Sequence, residues 1–130
     1  MSAEKEKMRV LLSIKPQYAD KIFSGEKKFE FRKRAFRNIE VDTVVVYSTM
    51  PVGRIIGEFS IKQIHQDSPK SIWIKTRRFS GIDEAFFNEY YFGRDLAVAI
   101  EVDKLLLYKV PINPKVEYEN FTAPQSFMYL

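Results

Sequence analysis

Between Gly25 and Arg32 the chain reads GEKKFEFR, which brings Lys27, Glu30 and Arg32 close together in sequence. Lysine and arginine offer donors to phosphate oxygens or base carbonyls, and a glutamate carboxylate accepts from exocyclic amines or ring N–H groups. The three together suit a nucleotide, which carries both negative charge and donors. Glu30 and Arg32 also fit an ordinary surface ion pair on one strand face, worth roughly 0 to 1 kcal/mol. Location bears on both readings, solvated surface and phosphate binding: residues 15 to 37 hold eight basic side chains against three acidic, while the rest holds thirteen against fourteen. One segment thus supplies the whole net charge of +4, the footprint expected for phosphate binding. Lys15, Lys21 and the pair Arg77-Arg78 read as peripheral phosphate contacts or solvated surface.

Composition removes other chemistries. With no cysteine and a single histidine, His65, the chain cannot build disulfides, iron–sulfur clusters, a thiol nucleophile or a common zinc site. No metal and no cofactor are expected. His65 reads as structural or exposed and Trp73 as core. No apolar run reaches the ~20 residues that span a bilayer, and the opening MSAEKEK is too charged for a secretory signal. The expectation is a cytoplasmic protein without membrane contact. At 130 residues and 45% hydrophobic it fits one domain over residues 8–130, preceded by a flexible tail over 1–7.

The elements that must position the cluster follow from periodicity. Met8 to Ile14 reads as a buried strand. Pro16 suits a first helical position, Tyr18, Ala19, Ile22 and Phe23 form an apolar helical face, and Gly25 ends that helix. Lys27 to Arg34 alternates, with Phe29 and Phe31 on the buried side and Lys28, Glu30, Arg32 and Arg34 on the other. Thr43 to Ser48 and Arg54 to Ile64 flank the turn Met50-Pro51-Val52-Gly53 as a hairpin, and Gly57 marks a bulge, bend or close approach. Ser68-Pro69 opens a helical stretch. Ser80 is a candidate cap for a second, whose Ile82, Phe86, Phe87, Tyr90 and Tyr91 read as core rather than ligand contacts. A last strand runs from Leu96 to Tyr108, ended by Pro111 and Pro114. Five to six strands with two to three short helices, not in βαβ alternation, predict an α+β fold: a small, mostly antiparallel barrel with helices covering its ends.

Gly25, Lys27, Glu30 and Arg32 form the pattern GxKxxExR, which resembles the hallmark of the ASCH family. The order of elements agrees, as do IIGEF at Ile55 to Phe59 and Pro124-Gln125-Ser126-Phe127, so the resemblance spans most of residues 8–130. ASCH domains resemble PUA domains, a β-barrel with a cleft between barrel and first helix proposed to bind RNA or a nucleobase. The resemblance implies that Lys27, Glu30 and Arg32 line a basic cleft, with Tyr47, Ser48 and Thr49 at the end of the neighbouring strand and Ser126 and Phe127 nearby. Tyr47, Phe127 or Tyr129 would offer a stacking face. Gly25 is structural.

Two functions from different classes follow. The favoured one is a non-catalytic module for single-stranded or modified RNA, or a nucleoside, acting as a monomer or weak homodimer in RNA metabolism or in regulation of translation or transcription. The alternative is a small hydrolase, with Lys27 and Glu30 as candidate catalytic groups. ASCH-like amidohydrolases that act on N4-acetylcytidine use a Lys, a Thr and a later Glu; Lys27 matches, Glu30 stands in place of the Thr, and Glu84 or Glu89 are the available later acids. Other members resemble ribonucleases with a Tyr, Lys and Ser set, for which Tyr47, Lys27 and Ser126 are the matching types, and a metal-dependent cleavage belongs to the same alternative. A protein-interaction role in regulation is the third reading.

Overall fold

A computed structural model describes residues 8–130; the tail expected over residues 1–7 lies outside the described residues. The chain runs β1 (Met8–Ile14), α1 (Pro16–Ser24), β2 (Phe29–Arg32), β3 (Val41–Ser48), β4 (Arg54–Asp67), α2 (Pro69–Thr76), a 3₁₀ turn (Arg77–Phe79), α3 (Glu84–Tyr90), β5 (Ala97–Ile112), α4 (Pro114–Glu117) and β6 (Phe127–Tyr129). The strands make one curled sheet in the order β2-β5-β4-β3-β1-β6. Only β1 and β3 are parallel, joined by a crossover that contains α1 and β2; the other four pairings are antiparallel. The fold is α+β and mostly antiparallel, as the element order predicts.

Closure comes from side chains rather than from a main-chain ladder. The edge strands β2 and β6 are not neighbours in the sheet, so the structure is a half-barrel. Arg32 Nη2, at the end of β2, donates to Ser126 O at 2.7 Å and to Ser126 Oγ at 3.2 Å, just before β6. After β2, the Phe36 ring meets Phe127 edge-on at 5.0 Å, and the Asn38 N–H donates to Tyr129 Oη at 3.3 Å. A few contacts thus fasten the two open edges.

Packing divides the apolar residues between three regions. Val10, Leu12 and Ile14 of β1, Val44 and Val46 of β3, Phe59 and Ile100 pack with Ala19 and Ile22 of α1. This cluster sits under the first helix. On the other side of the same strands, Leu11, Val45, Tyr47 and Ile55 are covered by Tyr118, Phe121 and Met128. The third cluster joins Phe29, Phe31, Ala97 and Ala99 to Ile72, Phe87 and Tyr91 of the helical segment. Successive strand residues alternate between faces, so burial of β1, β3 and the start of β5 on both faces explains their near-continuous apolar runs.

Two glycines are required by geometry. Gly25 ends α1 in the left-handed region at φ 85°, its N–H bonding the Ile22 carbonyl, and so turns the chain into β2. At Gly57 the β3–β4 and β4–β5 registers both shift, and a Cβ there would lie 2.5 Å from Leu106 O and 2.8 Å from the Phe23 ring. Bulge and close approach coincide, and they seat α1 against the sheet.

Three local expectations are corrected. β2 is buried on both faces, since Glu30 is only 9% exposed beside Phe29 and Phe31. The cap of α3 is Asp83, whose carboxylate accepts from the Phe86 N–H at 2.8 Å, and not Ser80. β5 continues through Pro111 to Ile112, beyond its predicted end at Tyr108. β2 occupies the outer side of β5 only over Val98–Glu101, so the missing Pro111 N–H interrupts no ladder with β2.

Candidate functional site

Register decides where the cluster points. Glu30 faces Ile100 and Arg32 faces Val98 across β2–β5, and residues directly opposite in a ladder share a face. Ile100 belongs to the cluster under α1, so the polar side of β2 turns into the half-barrel mouth and not toward solvent. There it forms one side of a cleft of about 210 Å³ lined by Ser13, Ile14, Lys15 and Tyr18, by Lys27, Glu30, Phe31 and Arg32, and by Ile82, Phe86 and Tyr90. Thus β1 and α1 give one wall, β2 the floor and α3 the other wall.

Lys27 is the most constrained of these groups. It is 3% exposed, and its ammonium donates to Ser80 O at 2.6 Å. The same nitrogen lies 4.7 Å from the Phe31 ring centre and 5.7 Å from that of Tyr18, within cation–π range. Burial disfavours the charged form and brings its pKa from 10.5 down to about 8; Glu30 opposes this and Lys21 adds to it. The loop after the 3₁₀ turn covers the lysine. Lys21 Nζ donates to Gly81 O at 3.1 Å, and the Lys28 N–H donates to Phe79 O at 2.9 Å, so three donors hold that loop. Gly81 has φ 68°, and a Cβ there would come within 2.6 to 2.8 Å of the Lys27 side chain. Only glycine fits between loop and lysine.

Glu30 is buried at the same floor. Burial raises its pKa, while Lys27 and Arg32 pull it down. Arg32 Nη1 stands 3.8 Å from Glu30 Oε1, but Oε2 is buried without a hydrogen-bond partner among the described residues. A buried acceptor without a donor is costly and uncommon. Tyr90 closes the α3 side: burial raises its pKa, and the charges of Arg32 and Arg94 oppose the rise. Behind it, Tyr91 Oη donates within reach of Arg32 O at 2.8 Å and Val98 O at 3.0 Å, tying α3 to β2 and β5.

The remaining candidates are distributed around the cleft. Ser126 meets Arg32 at its rim. Phe127 packs between Phe36 and Tyr129 at the sheet closure. Tyr47 is buried against Phe121 in the cluster on the other side of β3, and Ser48 is buried opposite Ile14. The Thr49 N–H donates to Ile14 O. None of Tyr47, Ser48 and Thr49 lines the cleft. Glu84 and Glu89 lie exposed on α3, outside the lining residues. His65 pairs with Glu101 at 2.8 Å, away from the cleft. Of the α3 aromatics read as core, Phe87 and Tyr91 are core, whereas Phe86 and Tyr90 line the cleft with Ile82. The cover formed by Ser80 and Gly81 was not foreseen; the sequence signal for it is the Ser-Gly step just before the aromatic helix. Among the described residues no group of three or more metal-ligating side chains occurs, and no helix is long and apolar enough to cross a membrane.

Comparison with known proteins follows the same outline. The curated relatives include large ribosomal subunit protein uL22 of Ureaplasma parvum, 33% identical over 124 residues. That alignment covers 93% of this chain and 39% of the relative, so the chain spans about two fifths of that protein's length. An ASCH domain-containing ribonuclease of Zymomonas mobilis is 29% identical, with 96% of this chain and 86% of that protein aligned. The crystal structure of ASCH from Zymomonas mobilis superposes with a TM-score of 0.86 at 28% identity, over 94% of this chain and 87% of that one. The ASCH domain profile matches residues 12–106, a span that contains the whole GxKxxExR segment and all the cleft residues listed above. On that match the chain belongs to the ASCH domain family.

Proposed function

We propose that the cleft binds single-stranded RNA by taking in one unpaired nucleotide. The observation that carries this reading is the buried Lys27–Glu30–Arg32 floor with Glu30 Oε2 left without a donor. A base that presents an amine or ring N–H supplies that donor, and Arg32 offers N–H groups to a carbonyl or phosphate. Tyr18, Phe86 and Tyr90 provide ring faces of the kind that hold unstacked bases. Lys27 sits in the floor beside Glu30, where its positive charge favours the anionic form of Glu30.

Fluorescence anisotropy with a labelled single-stranded RNA tests the reading. If some four to six phosphates are engaged, log affinity falls against log salt with a slope of about −3 to −4. Arg32→Ala weakens binding more than Lys104→Ala or Lys109→Ala, which lie on the exposed far half of β5. Equal losses at all three positions, or binding indifferent to salt, would overturn the cleft as the RNA site.

A second reading is phosphodiester cleavage in the same cleft. It is favoured by the name of the Zymomonas relative. It is also favoured by Lys27, whose pKa of about 8 leaves a neutral fraction able to accept a proton near neutral pH. A 2′-hydroxyl that yields its proton there attacks the adjacent phosphorus, and the 5′-oxygen leaves with a proton from water. RNA that stays intact on a gel after long incubation, with and without Mg²⁺ or Mn²⁺, separates binding from cleavage.

A further inference from the structure

Beyond the cleft, across Tyr90, lies a second depression of about 610 Å³ lined by Lys33, Arg34, Phe92, Arg94 and Asp95. We infer that this depression is a second nucleotide subsite, in which the Phe92 ring stacks a base and Lys33, Arg34 and Arg94 hold the flanking phosphates. The inference rests on the proposed RNA-binding role of the cleft and extends it to a track for two neighbouring nucleotides of one strand.

Four observations converge on it. Phe92 is 88% exposed, unlike Phe87 and Tyr91 beside it, which are buried. Its backbone is nevertheless fixed: the Phe92 N–H bonds Glu89 O at 3.2 Å, Gly93 turns at φ 74°, and the Arg94 N–H bonds Tyr91 O at 2.9 Å. A large ring carried in solvent by an ordered turn suits stacking, because its backbone is already fixed and only side-chain freedom remains to be lost. The charges are complementary to a polyanion, with three exposed cations against the single Asp95. Continuity with the cleft is the fourth. Tyr90 lines the cleft on one side, and Lys33 Nζ lies 4.9 Å from the centre of the Tyr90 ring. Arg32 and Arg94 both act on the Tyr90 hydroxyl, so positive charge continues from the cleft floor to the turn.

The chemistry selects a single strand. A base in a duplex has both faces stacked and cannot lie on Phe92, whereas the stacking of an unpaired base is tolerant of sequence. The occupant of the second subsite is therefore any base, and discrimination belongs to the cleft with its Glu30 acceptor.

The test uses a labelled five-nucleotide RNA and a mononucleotide, with a duplex RNA as control, on the native chain and the variants Phe92→Ala, Phe92→Trp and Arg34→Ala/Arg94→Ala. Phe92→Ala is expected to weaken the five-nucleotide RNA by about 5- to 150-fold, the range for loss of one stacked base. Phe92→Trp restores it, which a merely structural defect would not allow. The double arginine variant flattens the salt slope by about 1.4, two phosphate contacts on a single strand. Mononucleotide binding in the cleft stays unchanged in Phe92→Ala and Phe92→Trp. Unchanged affinity for the longer RNA in Phe92→Ala overturns the subsite while leaving the cleft reading intact. If the native chain binds neither probe, both readings fall. Equal weakening of a duplex RNA probe by Phe92→Ala also overturns the stacking role.

Discussion

At the scale of single residues the site is built on a lysine that is uncomfortable as a cation. The unfolded chain holds the Lys27 proton with an ordinary pKa of 10.5, whereas burial brings it to about 8 in the fold. Between these values the unfolded state binds more protons, so this group makes stability rise with pH from about 8 toward 10.5. Its contribution is at most about 1.4 kcal/mol per pH unit. Lys27→Met removes this component, so the gap in urea-unfolding free energy, native minus variant, increases as pH rises through that window. A gap that stays constant would show that Lys27 titrates normally in the fold. Glu30 supplies a second check, because its charge works to keep Lys27 protonated. Glu30→Gln is expected to move the Lys27 titration below about 8, read from the ¹³Cε shift of that lysine.

At the scale of elements the decisive partner of the cluster is α3. It is seven residues long and relies on Asp83 for its first turn. Asp83→Ala costs about 1 kcal/mol of stability, and because Phe86 and Tyr90 stand on this helix it also weakens RNA affinity. A thermal melt followed by circular dichroism and an anisotropy titration measure the two effects. The element order, the α1 stop at Gly25, the β3–β4 hairpin and the Gly57 irregularity were legible in the sequence, because each is written in local periodicity or in a residue with a special backbone need. The three polar residues of the floor were legible only through the resemblance of GxKxxExR to the ASCH pattern, since their types alone fit a surface ion pair as well. Their burial was not, since alternation along β2 gives two faces without saying that the half-barrel covers both. Nor was the acceptor for Lys27 visible: Ser80 is 53 residues away and contributes a backbone carbonyl, which every residue type carries. Tyr47 illustrates the reverse case. It is the right type at the end of a neighbouring strand, yet strand alternation turns its ring to the opposite side of the sheet, against Phe121.

At the scale of the whole molecule, the cleft and the sheet closure share one residue. Arg32 contacts Glu30 on the floor and Ser126 across the gap, 94 positions along the chain. Occupancy of the cleft and retention of the C-terminal segment are therefore linked through one guanidinium. Arg32→Ala is expected to speed amide exchange over Phe127–Tyr129 by about tenfold, matching loss of roughly 1.4 kcal/mol from a charged hydrogen bond. RNA bound to the native chain is expected to slow the same amides. Mass-spectrometric hydrogen exchange reads both, and unaltered exchange in the variant would show that β6 is held without the Arg32–Ser126 contact.

That ladder has a consequence for the order in which the protein is made. β1 and its neighbour β3 are separated by α1 and β2 alone, so the two can pair soon after both are made. Among the described residues the other edge of β1 pairs with Phe127–Tyr129, far along the chain. Until that segment is made, Val10, Leu11 and Leu12 present an open apolar edge, the kind of surface on which nascent chains find one another. Translation that stops between β5 and β6 yields a chain with every residue of the cleft floor and without the β6 strand that seals β1.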